Sequence, residues 1–328
     1  MRLVQTDARA AGLFAKLKDM AKASLNSTPH PVARISTAGK LESDSAKIES
    51  RAALEDMKKV YALGYAYSVT SEGAYGDAAK KFVLAWAHTY QPTGLPVDET
   101  KLEPLFSAYD LTRQICSAEE KTAVETWLRA IARREMESVR VNSQTAYNNW
   151  NSHRLKIVGQ IGFLLDDRAL IDHAINGFKR QVAVNLRPDG SSFDFHERDA
   201  LHYHCYDLEP LLSLAIAAHQ NGVALYDFQA PNGASLRKSV NFLVPFCEGA
   251  ATHAEWVNSK IAFDRQRAAA GERKFKIGSN FDPQDAVPVL ELAVLFDEGL
   301  KPLLAKLAGQ PSAKFPTWET VLNQVRLP

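Results

Sequence analysis

Two short stretches hold most of the side chains suited to chemistry. The first is Tyr147-Asn148-Asn149-Trp150-Asn151-Ser152-His153-Arg154, where three asparagines, a tryptophan, a histidine and an arginine fall within eight residues. It leads into the apolar pattern Leu155, Ile157, Val158, Ile161, Leu164 and Leu165. On a helix Asn149 and His153 are four apart, and Trp150 and His153 three apart, so they share a face. The second stretch, Asp189 to Leu208, carries His196, Arg198, His202, Tyr203, His204 and several carboxylates ahead of a strongly apolar run. Its three histidines suggest zinc at first sight. His202 and His204 are two apart, however, and point to different sides of a helix, unlike the four-residue spacing of a helical zinc pair. No metal and no cofactor is expected.

The elements that must position these groups read as helices. Apolar residues recur at a period near 3.6 from Ile48 to Val69, Asp77 to Tyr90, Thr122 to Ser138 and Leu208 to Ala218. Strand-like alternation is scarce. Between the helices lie a long polar loop (residues 26–45, broken by Pro29 and Pro31), the turn Gln91–Pro96, the Pro-Asp-Gly turn in Arg187–Asp194 and a polar, basic loop from Ser259 to Asp282. Such helices and loops predict an all-α fold, a toroid of helical hairpins or a solenoid. No linker-like shift in composition divides the chain, so residues 1–328 read as one domain.

Composition removes other classes. With 328 residues, 46% hydrophobic, the chain has ample material for a core. A net charge of +1 gives no field to draw nucleic acid or a membrane surface, and no apolar run is long enough to span a bilayer. Cys116, Cys205 and Cys247 form no C-x-x-C pair and read as buried free thiols.

The two stretches resemble the alginate-lyase superfamily, polysaccharide lyase family five and its relatives. The resemblance extends to Phe82–Leu105 (FVLAWAHTYQPTGLPVDETKLEPL), to Ala200-Leu201-His202-Tyr203-His204 and to Leu208-Glu209-Pro210-Leu211, and in all covers roughly Pro29 to Ala218. It implies an incomplete (α/α) barrel whose cleft binds an acidic glycan, with the loop 26–45 near that cleft. It also implies β-elimination of a β-1,4-linked uronic-acid polymer. The proton on C5 leaves and the oxygen on C4 is expelled, which requires donors or cations that mask the uronate charge.

On that resemblance Tyr203 is the proton-transfer residue, general acid to the leaving oxygen and, where proton and oxygen lie on one side of the ring, also the base. Mannuronate and glucuronate have that arrangement; guluronate has the opposite one and would need a separate base such as His153. An ordinary phenol ionises near pH 10, about three units above neutral, a cost of ~4 kcal/mol that neighbouring cations must offset. Asn149, His153 and Arg198 are expected around the uronate.

Two departures stand out. The family-five pattern is Asn-Asn-His with a tryptophan three residues later; here Asn148-Asn149-Trp150 precedes His153. The family's arginine lies seven residues before the tyrosine; here that position is His196, and Arg198 lies five before. Five residues along one helix are ~140° apart, so Arg198 reaches Tyr203 only if a helix begins near Asp199 as N-cap. The departures widen the expected substrate from alginate (polymannuronate) to polyglucuronate and other uronans.

Further substrate contacts are expected from Asn148, Trp150, Asn151, His196, His202, His204, Arg34, Arg51 and His253, with Trp256 stacking on a sugar ring. Lys260, Arg265 and Arg267 suggest a lid. Two other readings stand beside the lyase. A toroidal glycoside hydrolase would use a carboxylate pair among Asp194, Glu197, Asp199 and Glu209. A glycan-binding protein would use the same scaffold without catalysis. The densest polar cluster, Asn, His, Arg and Tyr, suits carbanion chemistry better. Residues 1–7 show no apolar core of signal-peptide type, so two locations stand: periplasmic or secreted with the signal peptide removed, which the resemblance favours, or cytoplasmic.

Overall fold

The computed structural model describes residues 2–6, 8–138 and 144–308. Among them there is no strand, only three isolated bridges, Leu186 with Ser192, Gln229 with Ser235 and Ala254 with Asn280. Contacts gather the chain into two compact units, one ending at Ser138 and the other following it.

The principal helices of the first unit are α1 (Ala8–Ser24), α2 (Ser45–Thr70), α3 (Gly73–Thr89), α4 (Glu103–Thr112) and α5 (Ala118–Glu137). Helix α2 is the hub, packing on α1, α3 and α4. The helical periods read from the sequence are the buried stripes: Val60 and Leu63 on α2, Phe82 and Trp86 on α3, Val124, Leu128 and Ile131 on α5. Asp44 caps α2, accepting from the Ala46 amide, and Ser117 with Glu120 forms a capping box on α5. The loop before α2 is irregular, as its prolines predict.

The second unit contains α6 (Asn149–Leu165), α7 (Arg168–Asn185), the short α8 (Phe193–Arg198), α9 (Leu201–Gln220), α10 (Leu236–Glu248), α11 (Ala262–Ala269), α12 (Val287–Ala293) and α13 (Lys301–Ala308). Helices α6 and α7 form an antiparallel hairpin, and α6 also lies along α9. The approach is close because glycine sits at the crossings. A Cβ on Gly159 would stand 2.3 Å from Leu214 Cδ1, and one on Gly162 2.9 Å from the Ile171 backbone nitrogen. Leu155, Phe178, Leu208, Leu211 and Leu214 fill the space between. The stretch 259–282, expected to be loop throughout, contains α11. All three cysteines are free and buried.

Candidate active site

Tyr203 lies in the first turn of α9, at the edge of burial with 9% exposure. Its neighbours are cationic and aromatic. The Arg198 guanidinium lies over the ring, 3.8 Å from the centroid, and donates to Asp264 Oδ1. Arg267 Nη1 donates to the Tyr203 hydroxyl oxygen at 3.2 Å. Trp256 meets the ring edge-on at 5.7 Å, and Tyr206 does so at 5.9 Å. The His153 ring lies 4.5 Å from that of Tyr206, so an aromatic path links His153 to Tyr203.

Arg198 reaches Tyr203 because the backbone breaks between them, but not as the sequence suggested. Asp199 is not the N-cap of α9. It closes α8 in a left-handed conformation (φ 48°), and α9 starts after Ala200. The start of α9 is capped from a distance: the Glu255 carboxylate accepts from the amides of Leu201 at 2.7 Å and His202 at 3.1 Å. Burial raises the Glu255 carboxyl to about 7. Asp199 instead accepts from the Asn258 amide and side chain and, through its backbone carbonyl, from the Trp256 amide.

Asn149 and the α6 start face a buried polar network. Asn148 is the N-cap, its side chain accepting from the Trp150 amide at 3.0 Å. The Asn149 backbone amide donates to Asp194 Oδ2 at 2.9 Å and its Nδ2 donates to Asp194 Oδ1. Asn185 Nδ2 also donates to Asp194, at 2.9 Å. Nearby, Ser152 donates to Asp207 at 2.6 Å and accepts from Gln181, and Asn151 donates to Gln181 at 2.8 Å. Asp194 and Asp207 are both buried, and burial pushes both carboxyls up. The amides of Asn149 and Asn185 offset part of that rise at Asp194, whereas Asp207, pushed further by the neighbouring carboxyl, is driven well above the ordinary range.

The other predicted contacts divide. His204 is a correction: it is fully buried, with Nδ1 on Ser192 Oγ (2.8 Å) and Nε2 on the Ser239 carbonyl (2.9 Å). A carbonyl only accepts, so Nε2 carries the hydrogen and Nδ1 accepts from Ser192. Burial lowers the imidazole to about 4, which keeps it neutral. Because Ser192 is also the N-cap of α8, His204 anchors the helix that presents Asp194 and Arg198. Trp256 is a second correction. It is 2% exposed and clustered with Ala200 and Tyr203, so its ring supports the tyrosine and offers no face to a sugar.

His202 is half-buried beside Tyr203 and bonded to Asp285 at 3.1 Å. His253 reaches the Asp199 carbonyl at 3.1 Å, and His196 pairs with Ser191 at 2.8 Å. Trp150 is half-buried on α6. Arg34 and Arg51 belong to the first unit; Arg34 is exposed, and Arg51 is engaged by Glu42. Sequence reasoning missed the Asp194–Asp207 network and the Glu255 cap. A signal existed for the first: Gln181 and Asn185, four apart, lie on the α7 face that Phe178 and Val182 bury.

Solved structures share this fold. An alginate lyase from Bacteroides ovatus matches with a TM-score of 0.72 at 16% identity, over 98% of this chain and 95% of that one. Alginate lyase A1-III from Sphingomonas species A1 matches at 0.56 and 18% identity, over 88% and 86%; a variant of A1-III was solved with a tetrasaccharide. The fold is thus the all-α, incomplete (α/α) barrel class. An alginate lyase of Stenotrophomonas maltophilia (strain K279a) is 26% identical over 210 residues, which are 56% of this chain and 27% of that protein. The chain spans about a quarter of that curated relative. The alginate lyase family model matches residues 8–256, and the chain belongs to that family.

Proposed function

We propose that this protein is a polysaccharide lyase that cleaves a β-1,4-linked uronan, polymannuronate or polyglucuronate, by β-elimination at Tyr203. The observation that carries this reading is the setting of the phenol: one guanidinium on its ring face and another at its oxygen. Negative charge on that oxygen is stabilised by both. The phenolate takes the C5 proton, C4=C5 forms as the C4–O4 bond breaks, and the phenol returns the proton to O4. The proton count closes within one residue, which fits substrates whose C5 proton and C4 oxygen lie on the same side.

The uronate is assigned to the start of α6, where Asn149 and His153 are both buried in the free protein (1% and 5% exposed) and are reached only as the carboxylate seats against it. Asn149 Nδ2 carries two hydrogens, of which Asp194 takes one. Arg198 fixes the plane of the Tyr203 ring, itself held by Asp264. His202, His253 and His196 border the site with Asn148, Trp150 and Asn151. The family match covers residues 8–256 and so takes in residues of both units. Of the four carboxylates a hydrolase could use, Asp194 is buried in the asparagine network and Asp199 ties a turn, which weakens that reading.

The test is incubation with polymannuronate, polyguluronate, polyglucuronate and hyaluronan while following ultraviolet absorbance. Absorbance from the unsaturated product is expected with polymannuronate or polyglucuronate. Reducing ends without that absorbance would mean hydrolysis and would sink the reading.

A further inference from the structure

We infer that Arg267, which lies beyond the residues matching the family, is a catalytic residue that holds the reacting oxygen of Tyr203. This rests on the reading of Tyr203 as the proton-transfer group. The family match ends at residue 256, yet the hydroxyl of Tyr203 is met 64 residues downstream by Arg267 Nη1 at 3.2 Å.

The placement is built. The guanidinium lies over Phe263 at 4.4 Å and over Phe275 at 4.2 Å, and its Nε stands 3.6 Å from Glu272 Oε2. The side chain is 13% exposed. A planar cation held against two rings and a carboxylate has little rotamer freedom left, so its fork is fixed before substrate arrives.

Two consequences follow from what an arginine is. It donates and never accepts, so the hydrogen of the neutral phenol cannot point at Arg267 and is left to face away from it. When the phenol gives that proton up, the charge left on oxygen faces a donor already in place. Arg198 differs, because it lies over the ring face and reaches the oxygen only through the π system. The pair divides the work: Arg198 sets the ring, Arg267 the oxygen.

The experiment uses the full chain with polymannuronate, or polyglucuronate if that is the better substrate. Arg267→Gln is expected to lower kcat by on the order of 100-fold with KM changed little, since one charged donor to a developing oxyanion is lost. Arg267→Ala is expected to regain part of its activity when guanidinium ions are added at non-denaturing concentration, while Tyr203→Phe gains nothing from them. If Arg267→Gln keeps wild-type kcat while Tyr203→Phe is inactive, Arg267 has no catalytic part and the reading of Tyr203 stands. If Tyr203→Phe is itself fully active, that reading fails first. Should Arg267→Gln fold poorly by circular dichroism, the guanidinium response of folded Arg267→Ala decides: absence of rescue overturns the inference.

Discussion

Helix α8 serves two unlike regions from one turn and a half. Asp194, near its start, points into a buried network of amides and a second carboxyl. Arg198, four residues on, lies over Tyr203 among aromatic rings and a second arginine. The first region surrounds two buried carboxyls with neutral donors, and burial pushes both up. The second concentrates positive charge where the proposed reaction makes an oxyanion. The sequestered acid and the base-forming phenol are kept apart although their supports are adjacent in sequence, and His204 anchors both through Ser192.

The comparison can be broken from either side. Asp194→Ala leaves three N–H groups unmet in the interior. It is expected to cost about 3 kcal/mol of stability by urea unfolding and to cut activity through the misplaced Asn149. A variant as stable as the wild type would show that the network carries no such load. On the other side, Arg198→Gln is expected to lower kcat by roughly 10- to 100-fold, about 1.4–2.7 kcal/mol in the barrier, with a smaller effect on unfolding. Equal losses in both measurements would erase the division of labour between the two regions.

Glu255 sharpens the contrast through pH. Its carboxyl lies at about 7 when folded against an ordinary 4.5, so the folded protein holds this proton more tightly than the unfolded chain. Its contribution to stability is present below pH ~4.5 and is lost as pH rises through ~7. Glu255→Gln removes that dependence. The difference in unfolding free energy between wild type and variant is expected to change by on the order of 2 kcal/mol between about pH 5 and 7; a constant difference would contradict it. The smallest effect belongs to the scaffold. Gly162→Ala presses a Cβ on the Ile171 backbone. Overpacking of ~2 kcal/mol is partly offset by ~1 kcal/mol of helix propensity, leaving a net loss near 1 kcal/mol with kcat unchanged.

Much of this was legible in the sequence. The helical periods gave the buried stripes, and the pairing of Tyr203 with Arg198 required only a break between two helices. The break was misplaced because Asp199 looks like a cap, whereas its left-handed conformation ends α8. His204 was misread because it adjoins Tyr203, yet successive helical residues point ~100° apart, and that rotation sends its ring into the core. Trp256 was misread because an aromatic beside a glycan site suggests stacking, while here it packs on the tyrosine itself. Arg267 and Glu255 could not be placed on Tyr203 and α9 from spacing, since they arrive from segments 64 and 54 residues away.

The most direct measurement of the central claim is turnover by Tyr203→Phe on the uronan that the wild type cleaves best, with binding followed in parallel. Loss of the ultraviolet product by at least ~100-fold is expected, with polymer affinity and thermal unfolding close to wild type. Wild-type turnover by a folded Tyr203→Phe protein would contradict it.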